Sequence, residues 1–223
     1  MVLSPHFDDD VIGCGGTLYK HILSGDEVTI IYFTDGREGD PDFSNKRMLE
    51  SIRKEEARSA TAILGIDDLI FLDEPETRLK VNKRLLKMLA GVFDRLSPDL
   101  VYLPSFIENH IDHLELNRIF FRLVRQSNME FNVCAYEAWS PILPNIVVDI
   151  GQVIAKKEQA LNEYKSQIRQ VDYVNATLGL NRYRSAMNLH GRSYAEAFFF
   201  TTSKKYIDLM TKLRLDKRIF IDI

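Results

Sequence analysis

The chain has 223 residues, 45% hydrophobic and 27% charged, with a formal net charge of -3. That is the balance of an ordinary globular protein, long enough for one well-filled core and without the basic surplus that a general nucleic-acid binder needs to neutralise phosphates. No apolar run approaches the ~20 residues of a membrane span, and His6 and the aspartates after it stand where a secretory leader would place its apolar stretch.

Taken in chain order, "MVLS" (1–4) is a short apolar start. "SPHFDDDVIG" follows, with one histidine and three adjacent aspartates whose mutual repulsion is unfavourable without a cation. Leu18, Ile22 and Leu23 then predict a helix over 15–25, ended by Gly25. "EVTIIYFTD" (27–35) is rich in β-branched and aromatic residues and predicts a buried strand. A long helix is expected over 44–65, with Leu49, Arg53, Glu56, Ala60 and Leu64 on one face and Gly65 as its stop. "DLIFLD" (68–73) is a third strand. Residues 81–97 are a third helix, left at Pro98, and "DLVYLP" (99–104) is a fourth strand. A helix over 113–127, a strand over 130–139 and a short strand over 146–150 complete the alternation. Beyond about 150 the pattern becomes helical, over 151–170 and 173–189, with no internal repeat and no low-complexity linker.

This order predicts a Rossmann-like, doubly wound α/β domain. Its sheet is mostly parallel, with helices on both faces and a helical C-terminal elaboration. A single domain is expected, with the α/β core over 1–140 and the elaboration over 141–223. The only cysteines, Cys14 and Cys134, make neither a CxxC pair nor a disulfide framework, which fits a reducing, cytoplasmic setting.

In such sheets sites form beyond the carboxyl ends of the strands, at the switch point where the first strand lies beside the third or fourth. The first strand is followed by "PHFDDD" and the fourth by "SFIENHIDH", so three of the five histidines fall in two loops that the fold brings together. Imidazole and carboxylate are nitrogen and oxygen ligands of zinc, and a catalytic zinc takes three of them and leaves one position for water. His6 and Asp9 can supply two ligands from one turn, and His113 or His110 the third. Asp8 or Asp10 is then left to take a proton from water, and a histidine to serve as acid or oxyanion donor. Taken alone, the aspartate run reads as a helix N-terminus and the two histidines as a polar turn; the pairing of the two loops is what favours a metal. "GCGG" (13–16) is no dinucleotide fingerprint, because Leu18 stands at the third-glycine position. There is also no P-loop lysine and no GxSxG elbow.

These same residues resemble the PIG-L/LmbE-type deacetylases, zinc-dependent enzymes that remove N-acetyl groups from amino sugars. "PHFDDD" with "GCGG" is similar to that family's PHPDDE-type opening and glycine pair, and "HIDH" (110–113) to its HPDH-type motif. "FTDG" (33–36) and "RKEEARSATAILG" (53–65) match between them, and the likeness covers roughly residues 1–140, more loosely thereafter. The resemblance implies that His6, Asp9 and His113 bind zinc (with Fe2+ or Co2+ compatible), that Asp8 is the general base, and that His110 is the second catalytic histidine, oriented by Asp112. Two departures stand out. Phe7 replaces the usual proline, which should loosen the ligand loop, and Asp10 replaces the usual glutamate.

Arg53 is read either as partner of a half-buried Glu56 or as an arginine reaching toward substrate. Arg37, after the second strand, is a weaker substrate-binding candidate. The function that follows is metal-dependent removal of an N-acetyl group from an N-acetylglucosamine-type sugar or its conjugate, releasing acetate. The alternatives are a zinc amidase for another N-acyl amide (a thiol conjugate, lipid-linked or glycopeptide substrate) and a non-catalytic metal- or sugar-binding protein. The expected partner is a small amino-sugar conjugate and not a nucleic acid. A homo-oligomer is compatible with the sequence.

Overall fold

A computed structural model describes residues 1–127 and 129–216. The apolar start forms β1 (Val2–Ser4), and the β-branched and aromatic runs form β2 (Thr29–Thr34), β3 (Asp68–Glu74), β4 (Leu100–Pro104) and β5 (Asn132–Tyr136). These five strands are parallel, in the order β3-β2-β1-β4-β5. The register sets Val2 against both Ile30 and Tyr102, so β1 lies between β2 and β4. The switch point is therefore at β1/β4, where the sequence predicts it.

Between the strands run α1 (Asp9–Leu23), α2 (Lys46–Ile63), α3 (Lys83–Leu96) and α4 (Ile111–Ser127). Asn45 and Asn82 cap α2 and α3, their side chains accepting from the backbone N–H of Met48 and Leu85. Side chains alternate across the sheet with the two-residue period of a strand. Leu3, Ile31, Phe33, Val101, Leu103 and Val133 pack against α3 and α4 on one face. Val2, Ile30, Tyr32, Tyr102 and Cys134 pack against α1 and α2 on the other. Both faces are covered, which is why the strands read as continuous apolar runs.

The tail contains more strand than its composition suggests. After β6 (Ile146–Asp149), the expected helix over 151–170 is two shorter ones, α5 (Ile154–Leu161) and α6 (Lys165–Ile168), followed by α7 (Tyr173–Leu189). The aromatic run at 198–200 then belongs to β7 (Ala195–Thr202), which inserts antiparallel between β5 and β6 and leads into α8 (Ser203–Lys212). The elaboration thus extends the sheet as well as covering it. Its last residues, 217–223, lie outside the described ones. Among the described residues, no helix is long and apolar enough to cross a membrane.

Helix α1 begins six residues earlier than its apolar spacing predicts, so Asp9 and Asp10 fall in its first turn and Asp8 at its N-cap. Carboxylates there oppose the partial positive charge of the helix end. The glycines of "GCGG" work by close approach: a Cβ on Gly13 would lie 2.2 Å from the Tyr136 ring, and one on Gly16 would lie 2.9 Å from Ile150.

Candidate active site

The loop after β1 and the first turn of α4 meet above the switch point. His6 comes from that loop, Asp9 from the start of α1 that follows it, and His113 from the first turn of α4. Asp9 Oδ2 lies 3.0 Å from His6 Nδ1 and 3.1 Å from His113 Nε2, and these two nitrogens are 3.2 Å apart. Three Lewis-basic atoms therefore converge on one point, although their residues are 107 positions apart in the chain. Zinc distances of about 2.0–2.1 Å set the edges of a tetrahedral site near 3.3 Å, so this triangle fits a divalent cation with little adjustment. His110 stands beside it, its ring 4.6 Å from that of His6 and edge-on to it. One ring nitrogen from each of His6, His110 and His113 lies within 4.8 Å of the others, a cluster able to bind a metal.

The far nitrogens of the two inner histidines also face carboxylates. His6 Nε2 is 3.3 Å from Asp112 Oδ2, and that carboxylate accepts from the backbone N–H of Thr77 (2.7 Å) and Leu79 (3.3 Å). His113 Nδ1 lies 3.6 Å from Glu108 Oε2. Both of these atoms are buried without a hydrogen-bond partner. The other oxygen of Glu108 accepts from the backbone N–H of Ala138, Trp139 and Ser140. A His6 that donates from Nε2 to Asp112 is held in the tautomer that turns Nδ1 toward a metal, while Glu108 stands behind His113 at a longer distance.

This geometry corrects one expectation. Asp112 does not orient the His110 ring with its carboxylate, which faces His6. Only its backbone N–H reaches His110, donating to Nδ1 at 3.2 Å. With Nδ1 accepting, a neutral His110 carries its proton on Nε2.

Burial opposes charge on His6, but Asp9, Asp112 and Glu76 outweigh it and push the imidazole up to about 10. Burial acts to raise Asp9, yet His113 and His6 hold it well below the carboxylate range. Asp8 is raised by burial, with Asp9 adding to the effect and Arg53 opposing it. Burial, then the charges of His6 and His113, lower His110 to about 4. Asp10 is pushed up to about 8 by burial and accepts from the Tyr32 hydroxyl at 3.0 Å, so it supports the loop from beneath.

Asp8 occupies the N-cap without making a capping hydrogen bond. Its carboxylate lies 3.8 Å from Arg53 Nη2. Arg53 is buried, donates to the Gly36 carbonyl (3.0 Å) and to Glu76 (3.1 Å), and stands over the Phe7 ring. The alternative Arg53–Glu56 pair does not form, because Glu56 accepts from the backbone N–H and hydroxyl of Ser166 instead. Arg37 is 44% exposed and pairs with Asp35 (2.6 Å) and Glu50 (3.7 Å), at the rim of the same polar flank. Phe7 does not loosen the ligand loop: it is buried, packed edge-on against Tyr32 and Phe71.

Sequence reasoning missed Glu76 and Glu108. Both sit just beyond the carboxyl ends of strands, Glu108 two residues before His110, and that position was the available signal. A larger concavity of about 630 Å³, lined by Phe93, Pro98, Asp99 and Phe131, contains no histidine and lies away from this cluster.

Fold and site together define a metal-dependent hydrolase on a Rossmann-like sheet. The chain belongs to the PIG-L family (GlcNAc-PI de-N-acetylase), whose sequence model matches residues 1–124. It is 29% identical over 185 residues to the diacetylchitobiose deacetylase of Thermococcus kodakarensis, spanning 75% of this chain and 69% of that relative. The solved N,N'-diacetylchitobiose deacetylase from Pyrococcus horikoshii superposes with a TM-score of 0.78 at 26% identity, covering 92% of this chain and 84% of the other. A conserved protein from Thermus thermophilus superposes with a TM-score of 0.75 at 30% identity, covering 89% of this chain and 92% of the other. The chain is accordingly a metal-dependent deacetylase-type hydrolase acting on an acylated small molecule.

Proposed function

We propose that the substrate is an N-acetylglucosamine-type amino sugar or its conjugate, and that the products are acetate and the free amine. The observation that carries the reading is the triangle of Asp9 Oδ2, His6 Nδ1 and His113 Nε2, with sides of 3.0, 3.1 and 3.2 Å, beside an Asp8 carboxylate released from helix capping. The diacetylchitobiose deacetylases among the relatives support the sugar.

His6, Asp9 and His113 would hold the metal, and a His2Asp set suits zinc as well as Fe2+ or Co2+. When bound, the metal supplies a Lewis acid for the amide carbonyl and brings water toward neutral acidity. Asp8, whose side chain makes no helix-capping hydrogen bond, takes the water's proton. Arg53 holds that carboxylate in place from the polar flank. His110, neutral with its proton on Nε2, donates to the oxygen on which negative charge develops. Asp8 then returns the proton to the departing amine. Asp112 fixes the ring of His6, and Glu108 stands 3.6 Å behind that of His113.

The test is a free-amine assay across N-acetylglucosamine, its oligosaccharides and its glycosides, with metal analysis of the same sample. Release of one acetate per amine, abolished by a chelator and restored by zinc, is the expected result. A zinc-loaded protein that deacetylates none of these sugars would overturn it.

A further inference from the structure

We propose that the cavity between α1, the β5–β6 loop and α7 is a subsite for an apolar group carried by the amide substrate. The proposal rests on the hydrolase reading above and extends it. The cavity has a volume of about 330 Å³, and Ile12, Trp139, Pro141, Val171, Ala176 and Leu180 form its apolar walls.

Two aromatic rings join it to the metal cluster. Trp139 stacks on His110 with ring centroids 5.9 Å apart and meets Tyr173 edge-on at 5.8 Å. Trp139 remains 48% exposed, an apolar surface at the mouth of the site that a ligand would cover.

The helical spacing of α7 shows the same design. Tyr173, Ala176, Thr177, Leu180 and Asn181 line the cavity at i, i+3, i+4, i+7 and i+8, one continuous stripe. The charges at its base are already satisfied. Arg184 Nε donates to Glu137 at 3.1 Å and Nη2 to the Ile142 carbonyl at 2.7 Å, while Glu137 also accepts from the Ile142 N–H at 2.9 Å. No free charge is left there to bind an anion. The side-chain oxygen of Asn181, 4% exposed, is buried without a partner and can accept one N–H or O–H from a ligand.

Charged residues also border the cluster, Glu76 beside His6 and Arg53 beside Asp8. A substrate with a polyol at one end and an apolar group at the other matches this polar border and the apolar cavity. An acetyl methyl, no larger than the roughly 30 Å³ of one water, would leave most of the cavity unfilled. Two sources share the required chemistry, an N-acyl chain longer than acetyl or an apolar aglycone.

The experiment uses two series, N-acylglucosamines from acetyl to octanoyl and N-acetylglucosamine alkyl glycosides from methyl to octyl. It reads amine release and the fluorescence of Trp139, the sole tryptophan of the chain. kcat/KM should rise about fourfold per methylene in one series until the cavity is filled, with a shift in Trp139 emission by the same ligands. The steeper series identifies the source. Ala176→Phe, at an exposed position of the wall, should lower the preference for the octyl or octanoyl member over the shortest by about fifteenfold, the worth of two buried methylenes. Two flat series with unmoved Trp139 emission would overturn the proposal. If no member is turned over, the hydrolase reading fails, and the Trp139 titration still decides the cavity: a chain-length-dependent shift supports it and no shift overturns it.

Discussion

Helix α1 holds two buried groups of charged residues, and they differ in whether their polar atoms are satisfied. Along its body, Glu196 from β7 accepts from the backbone N–H of Gly16 and Thr17, and its other partner is Lys157, 2.6 Å away. Lys157 also donates to the Ile12 carbonyl at 2.8 Å. Every charge there is matched, and the pair pins α5 and β7 to α1. At the N-terminus of α1, Asp9, His6 and His113 direct lone pairs at one point, while His113 Nδ1 and Glu108 Oε2 stay unpaired. The first group is closed and structural. The second gathers lone pairs that a cation would satisfy, so burial of charge by itself does not mark a site; convergent lone pairs do.

Substitutions in the two groups test this contrast. The largest expected effect is from His6→Ala, which should take the metal-to-protein ratio from about one to near zero, read by elemental analysis after dialysis, because a catalytic site has only three protein ligands. Asp8→Asn should lower kcat by about 10²–10⁴-fold with metal still bound; full activity would remove Asp8 from the mechanism. Lys157→Met should cost about 3–5 kcal/mol in denaturant unfolding, since it strands a buried Glu196, and should leave the metal content of the folded protein unchanged. Glu108→Gln should weaken metal affinity about 10–100-fold in a chelator competition, because the carboxylate behind His113 is lost. The smallest effect is expected from the double variant Lys157→Met/Glu196→Gln, which removes both charges and should be more stable than Lys157→Met alone.

Much of the site was legible in the sequence because it depends on topology. Two loops that follow strands at a switch point must meet, and the residues in them, His6, Asp9, His110 and His113, do. What was not legible is which group faces which. Asp112 was expected beside His110 and turned out to face His6. Arg53 was weighed against Glu56 and is held by Glu76 and Gly36. Helix α1 starts at Asp9 rather than near 15, since the aspartates that interrupt the apolar spacing suit a first helical turn. The strand over 195–202 was not foreseen, because the pairing that makes it a strand comes from β5 and β6, distant in sequence.

The alternation of strands and helices, the mostly parallel sheet and the meeting of two metal-binding loops are written in local periodicity and loop position, and the family in the likeness of its motifs. Packing in three dimensions is what adds an antiparallel strand from the tail, sets Asp112 and Glu108 behind the two inner histidines, and closes an apolar cavity between α7 and Trp139. Each of these depends on side chains brought together from distant parts of the chain, and distance and direction between such groups have no signature in local spacing.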